Sequence, residues 1–213
     1  LGLIGRTGSG KTTISRLIFR LYNPNSGDIL FNNRRIQDLD LVSLRKNVAY
    51  VTQKVELFKA TVRNNITFFE MVESSEKIEQ IIKELELVEW YDRLPNGLET
   101  ELRGETGFSA GEAQLLALTR VFLKDPQLII LDEASSRLDP ITDRLIDKAI
   151  SKLLHEKTAI IIAHRLKTLE HVDEIMLLER GKIIEYGKRE DLIKNPNSNF
   201  SKLLKSGIEE VLA

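Results

Sequence analysis

Apolar residues along this chain follow two kinds of pattern. Short and nearly continuous apolar runs, which predict strands buried on both faces, alternate with longer stretches in which apolar residues recur every three or four positions. The runs are Leu1–Ile4, Val48–Thr52, Leu128–Leu131 and Thr158–Ile162. Strands that alternate with helices predict a mostly parallel sheet, so the expected fold class is α/β.

The stretch from about 74 to 123 has helical periodicity and few strand signals. Its first helix face is formed by Ile78, Ile81, Ile82 and Leu85, after the candidate caps Ser74 and Ser75. We interpret this stretch as a helical subdomain inserted into one larger domain. The expected boundaries are about 1–55 and 124–213 for the core and about 56–123 for the subdomain.

The pattern at the end of the chain predicts a hairpin, a short helix and a last amphipathic stretch. Glu174–Leu178 and Lys182–Glu185 flank the turn signal Arg180-Gly181. A helix is expected near Arg189–Lys194, and an amphipathic stretch follows at Phe200–Leu204.

The first strand leads directly into Gly5-Arg-Thr-Gly-Ser-Gly-Lys-Thr12, a phosphate-binding loop. Glycines let backbone N–H groups converge on phosphates, Lys11 supplies positive charge to the β and γ phosphates, and the Thr12 hydroxyl is available to Mg²⁺. A chance glycine-rich turn is the alternative, but it does not explain the strand before the loop and the helical pattern after it. That helix has the apolar face Ile14, Leu17, Ile18 and Leu21, and its N-terminus points at the anion. The predicted nucleotide-binding residues here are Gly5, Arg6, Thr7, Gly8, Ser9, Gly10, Lys11, Thr12 and Thr13.

Two carboxylates follow the buried strand at Leu128–Leu131. Open α/β sheets bind ligands at the carboxyl ends of their strands, so Asp132 is placed to hold Mg²⁺. Glu133 is placed to act as general base on the water that attacks the γ phosphate. An ordinary acidic turn would explain the pair equally well if the phosphate-binding loop were absent.

Ser109-Ala-Gly-Glu112 precedes another helical pattern and has two interpretations. Ser-x-x-Glu before an apolar run is a capping box, and capping alone accounts for it. A glycine in the first turn also leaves space for an anion to approach free N–H groups. Spacing in the sequence does not choose between the two.

Composition limits the class of protein. The 213 residues contain 31 Lys and Arg against 32 Asp and Glu, so bulk charge gives no reason to expect nucleic acid as a partner. There is no cysteine, which excludes disulfides and thiolate metal sites. No apolar run approaches the roughly 20 residues of a membrane-spanning helix. The chain begins inside a strand without an initiator Met, so we expect a longer polypeptide and N-terminal strands outside this sequence.

Along nearly its full length the chain resembles the ATP-binding cassette of ABC transporters, most closely the exporter type. Six motifs occur in the family's order. Gly5 to Thr12 matches Walker A, Gln53 the Q-loop, Phe108 to Glu112 the signature, Leu128 to Glu133 Walker B, Ser135 to Asp139 the D-loop, and His164 the switch histidine. The exporter type is suggested by Val55–Phe58, by Thr61–Ile66, and by Glu101–Gly107, which resembles the exporter X-loop.

The resemblance implies an ATPase that powers export through ATP-driven pairing of two cassettes, as a homodimer or heterodimer. Each ATP would lie between the Walker motifs of one cassette and the signature residues Ser109, Ala110, Gly111 and Glu112 of the other, with Asp139 at the dimer interface. Gln53 would bind nucleotide and, with Thr12 and Asp132, Mg²⁺. Glu133 and His164 would be catalytic, whereas His155 and His171 match no motif. A transmembrane domain upstream or in a separate subunit would place the cassette at the cytoplasmic face of a membrane, such as a bacterial inner or plasma membrane.

The signature departs from the usual Leu-Ser-Gly-Gly-Gln at Phe108, Ala110 and Glu112, and the D-loop contains Arg137. These departures keep a second interpretation open, a regulatory half of a heterodimer that binds nucleotide with little turnover. A third is a soluble ABC ATPase of DNA repair or translation, although the coiled-coil insertions and basic patches usual in that class are missing here. The adenine-stacking aromatic of the family is expected upstream of Leu1.

Overall fold

The computed structural model describes residues 1–52, 54–70, 74–102, 108–132, 139–163 and 167–206. They belong to two compact units, which are described separately below. The first unit falls within residues 1–53, 127–135 and 158–213, and the second within residues 54–126 and 136–157. The domain boundaries expected from the sequence stay a prediction.

The first unit is built on a six-stranded sheet with a separate two-stranded hairpin. Its strands are β1 (Gly2–Ile4), β2 (Leu30–Phe31), β3 (Arg34–Arg35), β4 (Val48–Val51), β5 (Leu128–Asp132), β6 (Thr158–Ile162), β7 (Glu174–Glu179) and β8 (Lys182–Lys188). The sheet order is β4-β5-β6-β1-β7-β8, with β2 and β3 pairing on their own. Only the β7–β8 pair of the six-stranded sheet is antiparallel. The prediction of a mostly parallel α/β sheet is therefore confirmed.

The helices of both units begin and end as follows: α1 (Lys11–Ile18), α2 (Leu41–Asn47), α3 (Val62–Thr67), α4 (Ser75–Glu84), α5 (Val88–Tyr91), α6 (Ala110–Lys124), α7 (Pro140–Leu154), α8 (Arg189–Lys194) and α9 (Asn199–Ser206). Short 3-10 turns occur at Ile36–Asp38, Gly97–Glu99 and Lys167–His171. Ser74 caps α4 by accepting a hydrogen bond from the Lys77 N–H, as its sequence position predicts.

Two apolar clusters of the first unit lie on the same face of the sheet, as the strand register shows, and Ile160 packs against both. One cluster consists of Ile36, Leu44, Val48, Leu128 and Ile130. A second contains Leu3, Ile162 and Leu178, with Ile14 of α1 packed against it. Every residue of β5 is buried, as expected of a central strand covered on both faces.

One expectation about a helix was wrong in extent. Leu21 was expected on the apolar face of α1, but α1 ends at Ile18 and Leu21 is 47% exposed. Arg20 has a φ of +53°, a left-handed conformation that stops the helix. The stretch from 74 to 123 contains the helices α4, α5 and α6, with the short turn Gly97–Glu99 between α5 and α6.

In the second unit α6 is the central helix. It packs against α3, α4 and α7, which is why its residues from Leu115 to Thr119 are all buried. Asp125, in a left-handed conformation, ends the helix, and its carboxylate pairs with Lys157.

The predicted hairpin at the end of the chain is confirmed as the β7–β8 pair, with Arg180 and Gly181 at its turn. The Gly181 N–H donates a hydrogen bond of 2.9 Å to the Ser9 carbonyl. The turn is thereby tied to the backbone of the phosphate-binding loop, within the first unit.

Candidate nucleotide site

The loop from Gly5 to Gly10 has a backbone that only glycine adopts readily at key points. Gly5 has a φ of +147°, and a Cβ at this position would overlap the carbonyl oxygen of Leu178 on β7. Gly8 has a φ of +80°, and the space that its Cβ would occupy is open. The loop is therefore packed against the sheet at Gly5 and open to an approaching ligand at Gly8.

Helix α1 begins directly after this loop without a side-chain cap. Its N-cap is Gly10, in a left-handed conformation with a φ of +108°. The first N–H groups of any helix have no acceptor inside it, so those of Lys11 to Thr13 are directed out of the helix end. An uncapped helix N-terminus beside a glycine loop is an anion-binding arrangement.

Lys11 is 5% exposed and directed back along the loop. Its ammonium donates to the carbonyl oxygen of Gly5 and, at 3.3 Å, to that of Arg6. Burial lowers the pKa of Lys11, and the negative charge of Asp132 acts in the opposite direction. The site thus holds a buried cation whose charge is compensated by a nearby carboxylate.

Ser9 supplies an independent sign that the loop is built for a polar ligand. Its side chain is buried, and its hydroxyl oxygen has no hydrogen-bond partner among the described residues. Buried hydroxyls are nearly always paired in folded proteins, because an unpaired one costs about 1–3 kcal/mol. A phosphate oxygen at the loop would provide an acceptor for it.

Asp132, the residue for which the sequence predicts a Mg²⁺ contact, lies at the carboxyl end of β5 and is buried. Tyr50 of β4 donates a hydrogen bond of 3.2 Å to its Oδ2 atom. The Ser15 hydroxyl of α1 donates in turn to the Tyr50 oxygen at 3.3 Å. Neither Tyr50 nor Ser15 was predicted from the sequence, although a tyrosine inside an otherwise aliphatic buried strand was a usable signal.

Three predicted site residues, Gln53, Glu133 and His164, lie outside the described residues. The same is true of the D-loop residues 135–138 and of the X-loop residues 103–107. Their proposed roles rest on the sequence. The described neighbours Thr52, Asp132 and Ala163 immediately precede Gln53, Glu133 and His164 in the chain.

The signature segment belongs to the second unit, where it forms the capping box expected from Ser-x-x-Glu. The Ser109 hydroxyl accepts from the Glu112 N–H at 3.2 Å, and the Glu112 carboxylate accepts from the Ser109 N–H at 2.8 Å. Ser109, Ala110 and the Glu112 side chain are at the helix surface, whereas Gly111 is buried. Capping is thus observed, and phosphate binding by the same helix end stays a prediction.

Asp139 caps α7. Its carboxylate accepts hydrogen bonds from the N–H groups of Ile141 at 3.1 Å and Thr142 at 2.9 Å. These bonds, with one from the Thr142 side chain as the largest cause, lower the pKa of Asp139. Pro140 occupies the first helical position, where its missing N–H costs nothing. The predicted role of Asp139 at a dimer interface is compatible with this cap.

Arg120 and Asn65 organise the segment after the Q-loop, a feature that the sequence analysis missed. Asn65 is fully buried, and its amide group bonds both the N–H and the carbonyl of Phe58, at 2.8 and 3.0 Å. Arg120 donates to the Asn65 carbonyl and lies 4.7 Å from the centre of the Phe68 ring. Burial lowers the pKa of Arg120 to about 10, so the guanidinium stays charged near neutral pH. Together, Arg120 and Asn65 hold the backbone of residues 56–65 in place.

Comparison of the chain with models of known protein families identifies the family to which this set of residues belongs. The model of the ABC transporter family matches residues 1–136, which include the loop, the signature segment and the end of β5. The chain belongs to the ABC transporter family. This assignment confirms the resemblance seen in the six sequence motifs.

Similar proteins place this ABC domain among exporters. The "ATP-dependent lipid A-core flippase" of Pseudomonas aeruginosa is 39% identical over 213 residues, 99% of this chain and 35% of that protein. The ABC transporter ATP-binding protein YfiC of Bacillus subtilis is 38% identical over 211 residues, again 99% of this chain and 35% of that protein. The solved structure of a bacterial Atm1-family ABC exporter with ATP bound has a TM-score of 0.86 and 32% identity, over 97% of this chain and 36% of that chain.

The chain is therefore an ATP-binding domain of the exporter-type ABC transporters, a family of ATPases. It spans about a third of the length of the curated relatives that it matches. Within the described ranges, no helix combines the length and apolar character needed to cross a membrane. Nor does that part of the chain contain a cluster of three or more His, Cys, Asp or Glu suited to a metal ion.

Proposed function

We propose that this domain binds ATP with Mg²⁺ and hydrolyses it, and that a second cassette paired with it completes each ATP site. The observation that carries the proposal is the uncapped start of α1, next to the buried Lys11 ammonium and the unpaired Ser9 hydroxyl. Together these groups supply N–H donors, an O–H donor and one positive charge. A polyphosphate is the ligand class that uses all three.

The residues present fit a magnesium ion. Mg²⁺ prefers oxygen ligands and retains several waters, so one carboxylate and one hydroxyl are a sufficient protein contribution. Asp132 and Thr12 would provide them, with Gln53 as a further oxygen ligand. When bound, the ion would neutralise charge on the phosphates. Lys11 would move from the loop carbonyls of Gly5 and Arg6 to the β and γ phosphates.

For hydrolysis, Glu133 would accept the proton of the attacking water, and His164 would orient that water near the γ phosphate. The position of Glu133 directly after the buried Asp132 supports this assignment. Proton transfer by a positioned carboxylate typically contributes about 10²–10⁴-fold to rate.

At the level of the assembly, Ser109, Ala110, Gly111 and Glu112 would face the nucleotide of a partner cassette, with Asp139 at the interface. A transmembrane domain, in the same polypeptide or a separate subunit, would couple hydrolysis to export at the cytoplasmic face of a membrane. The relatives named flippases and the exporter structure support this setting, since this chain covers only about a third of each. The near balance of 31 basic and 32 acidic residues supports no role for nucleic acid.

Two substitutions test the proposal in the complete protein. Lys11→Ala should weaken ATP binding about tenfold or more, because a charge-assisted hydrogen bond is worth about 1.5–3 kcal/mol. Calorimetric titration measures this, with the exposed Lys194→Ala as the control. ATP affinity that is the same in Lys11→Ala, Lys194→Ala and wild type would remove the loop from the nucleotide site.

Glu133→Gln should leave ATP binding within about twofold of wild type and reduce steady-state hydrolysis by at least about a hundredfold, because an amide keeps the shape of the side chain but is not a base. Phosphate release and ATP titration, measured on the same preparation, separate the two effects. Steady-state hydrolysis close to the wild-type rate would exclude Glu133 as the general base.

A further inference from the structure

Three structural elements of the first unit meet at the Tyr50 hydroxyl. Tyr50 lies on β4, Asp132 at the end of β5, and Ser15 one turn after Lys11 on α1. In the β4–β5 register Tyr50 pairs with Ile130, so Asp132 is two residues further along the neighbouring strand. Side chains two residues apart on a strand share a face of the sheet, which puts the phenol within reach of the carboxylate.

The direction of the hydrogen bonds is fixed by chemistry. An ionised carboxylate only accepts, so the Tyr50 O–H donates to Asp132 Oδ2, at 3.2 Å. The fully buried Ser15 hydroxyl has one proton and two acceptors within reach, the Tyr50 oxygen at 3.3 Å and the Thr12 carbonyl at 3.0 Å, so the two share it. An ordinary phenol keeps its proton near neutral pH, so the Tyr50 hydroxyl is available as a donor.

We propose that Tyr50 is a positioning residue for Asp132: its hydroxyl holds the carboxylate in the orientation that receives the nucleotide-bound Mg²⁺, and Ser15 ties that hydroxyl to the helix that carries Lys11 and Thr12. This rests on the proposed function, in which Asp132 is the metal-facing carboxylate. These contacts connect the carboxylate at the end of β5 with the phosphate-binding helix α1. That helix follows β1, and β1 and β5 are not neighbours in the sheet.

The test separates metal support from general stability. Affinity for a non-hydrolysable analogue, adenylyl imidodiphosphate, is measured by calorimetry on the complete protein, once with Mg²⁺ and once in excess chelator. The ratio of the two affinities reports the contribution of the metal contact. Tyr50→Phe removes the hydroxyl and keeps the ring that packs against Phe19, 5.7 Å between centroids.

The chain offers a matched control. Tyr186 of β8 also donates to a carboxylate, that of Glu174 at 2.9 Å, on the surface of the same unit. Tyr186→Phe therefore deletes the same atom from the same kind of bond, away from the nucleotide. Asp132→Asn serves as the reference for losing the metal-facing charge.

For Tyr50→Phe we expect an affinity within about twofold of wild type in chelator, and a metal-dependent ratio about three- to tenfold lower, the range of one hydrogen bond to a charged group that is somewhat long. Tyr186→Phe should match wild type under both conditions, and Asp132→Asn should lower the ratio further than Tyr50→Phe.

Two results would overturn the proposal while leaving the proposed function intact. One is a wild-type ratio in Tyr50→Phe when Asp132→Asn lowers it. The other is an equal loss of affinity with and without Mg²⁺, which would make Tyr50 a structural residue only. If Asp132→Asn itself left the ratio unchanged, the assignment of Asp132 to the metal would fail, and the role of Tyr50 with it.

Discussion

At the scale of single residues, two glycines of the phosphate-binding loop have different reasons to be glycine. Gly5 has no room for a side chain, because a Cβ would overlap the Leu178 carbonyl of β7, and its φ of +147° is strained for other residues. Gly8 has open space around its Cβ position and a φ of +80°. The first glycine serves packing, and the second leaves open the surface that a phosphate would approach in the proposed function.

This difference predicts that two similar substitutions affect stability and ATP affinity differently. Gly5→Ala should lower the free energy of unfolding by at least about 2 kcal/mol, because the backbone of β7 must shift. Gly8→Ala should cost only about 1 kcal/mol of stability, the penalty of a left-handed alanine, yet reduce ATP affinity. Thermal unfolding and ATP calorimetry on the full chain measure the two. Equal destabilisation by both substitutions would contradict this explanation.

Some contacts of single residues in the site could be predicted from the sequence, and others could not. The loop from Gly5 to Thr12 was identifiable because its groups are contiguous in the chain. The Tyr50–Asp132 bond joins residues 82 positions apart, so it depends on strand register that no local pattern encodes. The unpaired Ser9 hydroxyl is visible only once its burial is known.

At the scale of helices and strands, the sequence predicted those features that depend on residues close together in the chain. The four parallel strands selected from apolar runs agree with the structure to within about one residue at each end, and the capping box at Ser109 and Glu112 forms as its spacing requires. The length of α1 was overestimated because periodicity continues through Leu21, whereas a left-handed Arg20 stops the helix. The spacing of apolar residues carries no information about the backbone conformation that ends a helix.

One contact between elements had no local signal. The Glu185 carboxylate of β8 accepts hydrogen bonds from the N–H groups of Asn199 and Phe200, at 2.9 and 2.8 Å, and from the Ser198 hydroxyl at 3.1 Å. It caps α9 from another element, and Phe200 behind it is fully buried. A carboxylate at a helix N-terminus is favourable because of both the free donors and the helix dipole.

We therefore expect Glu185→Ala to weaken the docking of α9 by about 1–2 kcal/mol, the usual cost of a lost N-cap. Hydrogen exchange at the amides of α9 should accelerate, while amides of β5 keep their protection. The exposed Glu190→Ala, on α8, is the control for removing a carboxylate nearby. Unchanged exchange in α9 would show that the burial of Phe200 alone anchors the helix.

At the scale of the whole molecule, the proposed function requires this domain to contribute to two kinds of site. Its own loop and Asp132 would face one nucleotide, whereas the signature helix α6, which starts with a capping box, would serve a partner's nucleotide. The chain covers 35% of the flippase from Pseudomonas aeruginosa, to which it is similar. If each site is shared between two subunits, two inactive variants should complement each other when mixed, which would not happen in an enzyme whose site lies within one subunit.

Ser109→Arg should damage the site of the partner while leaving its own loop able to bind ATP, and Lys11→Ala should do the reverse. Ser109→Ala, which loses the cap at a cost of about 1 kcal/mol without adding bulk, controls for the helix end. In a mixed dimer of Ser109→Arg and Lys11→Ala subunits, both lesions fall in one composite site and the other site is intact. ATPase activity of the mixture should exceed that of either variant alone. Robust ATPase activity of Ser109→Arg by itself would show that Ser109 acts only as a helix cap. If the chain never pairs with a second copy of itself in the presence of ATP, the functional pair would instead be a heterodimer.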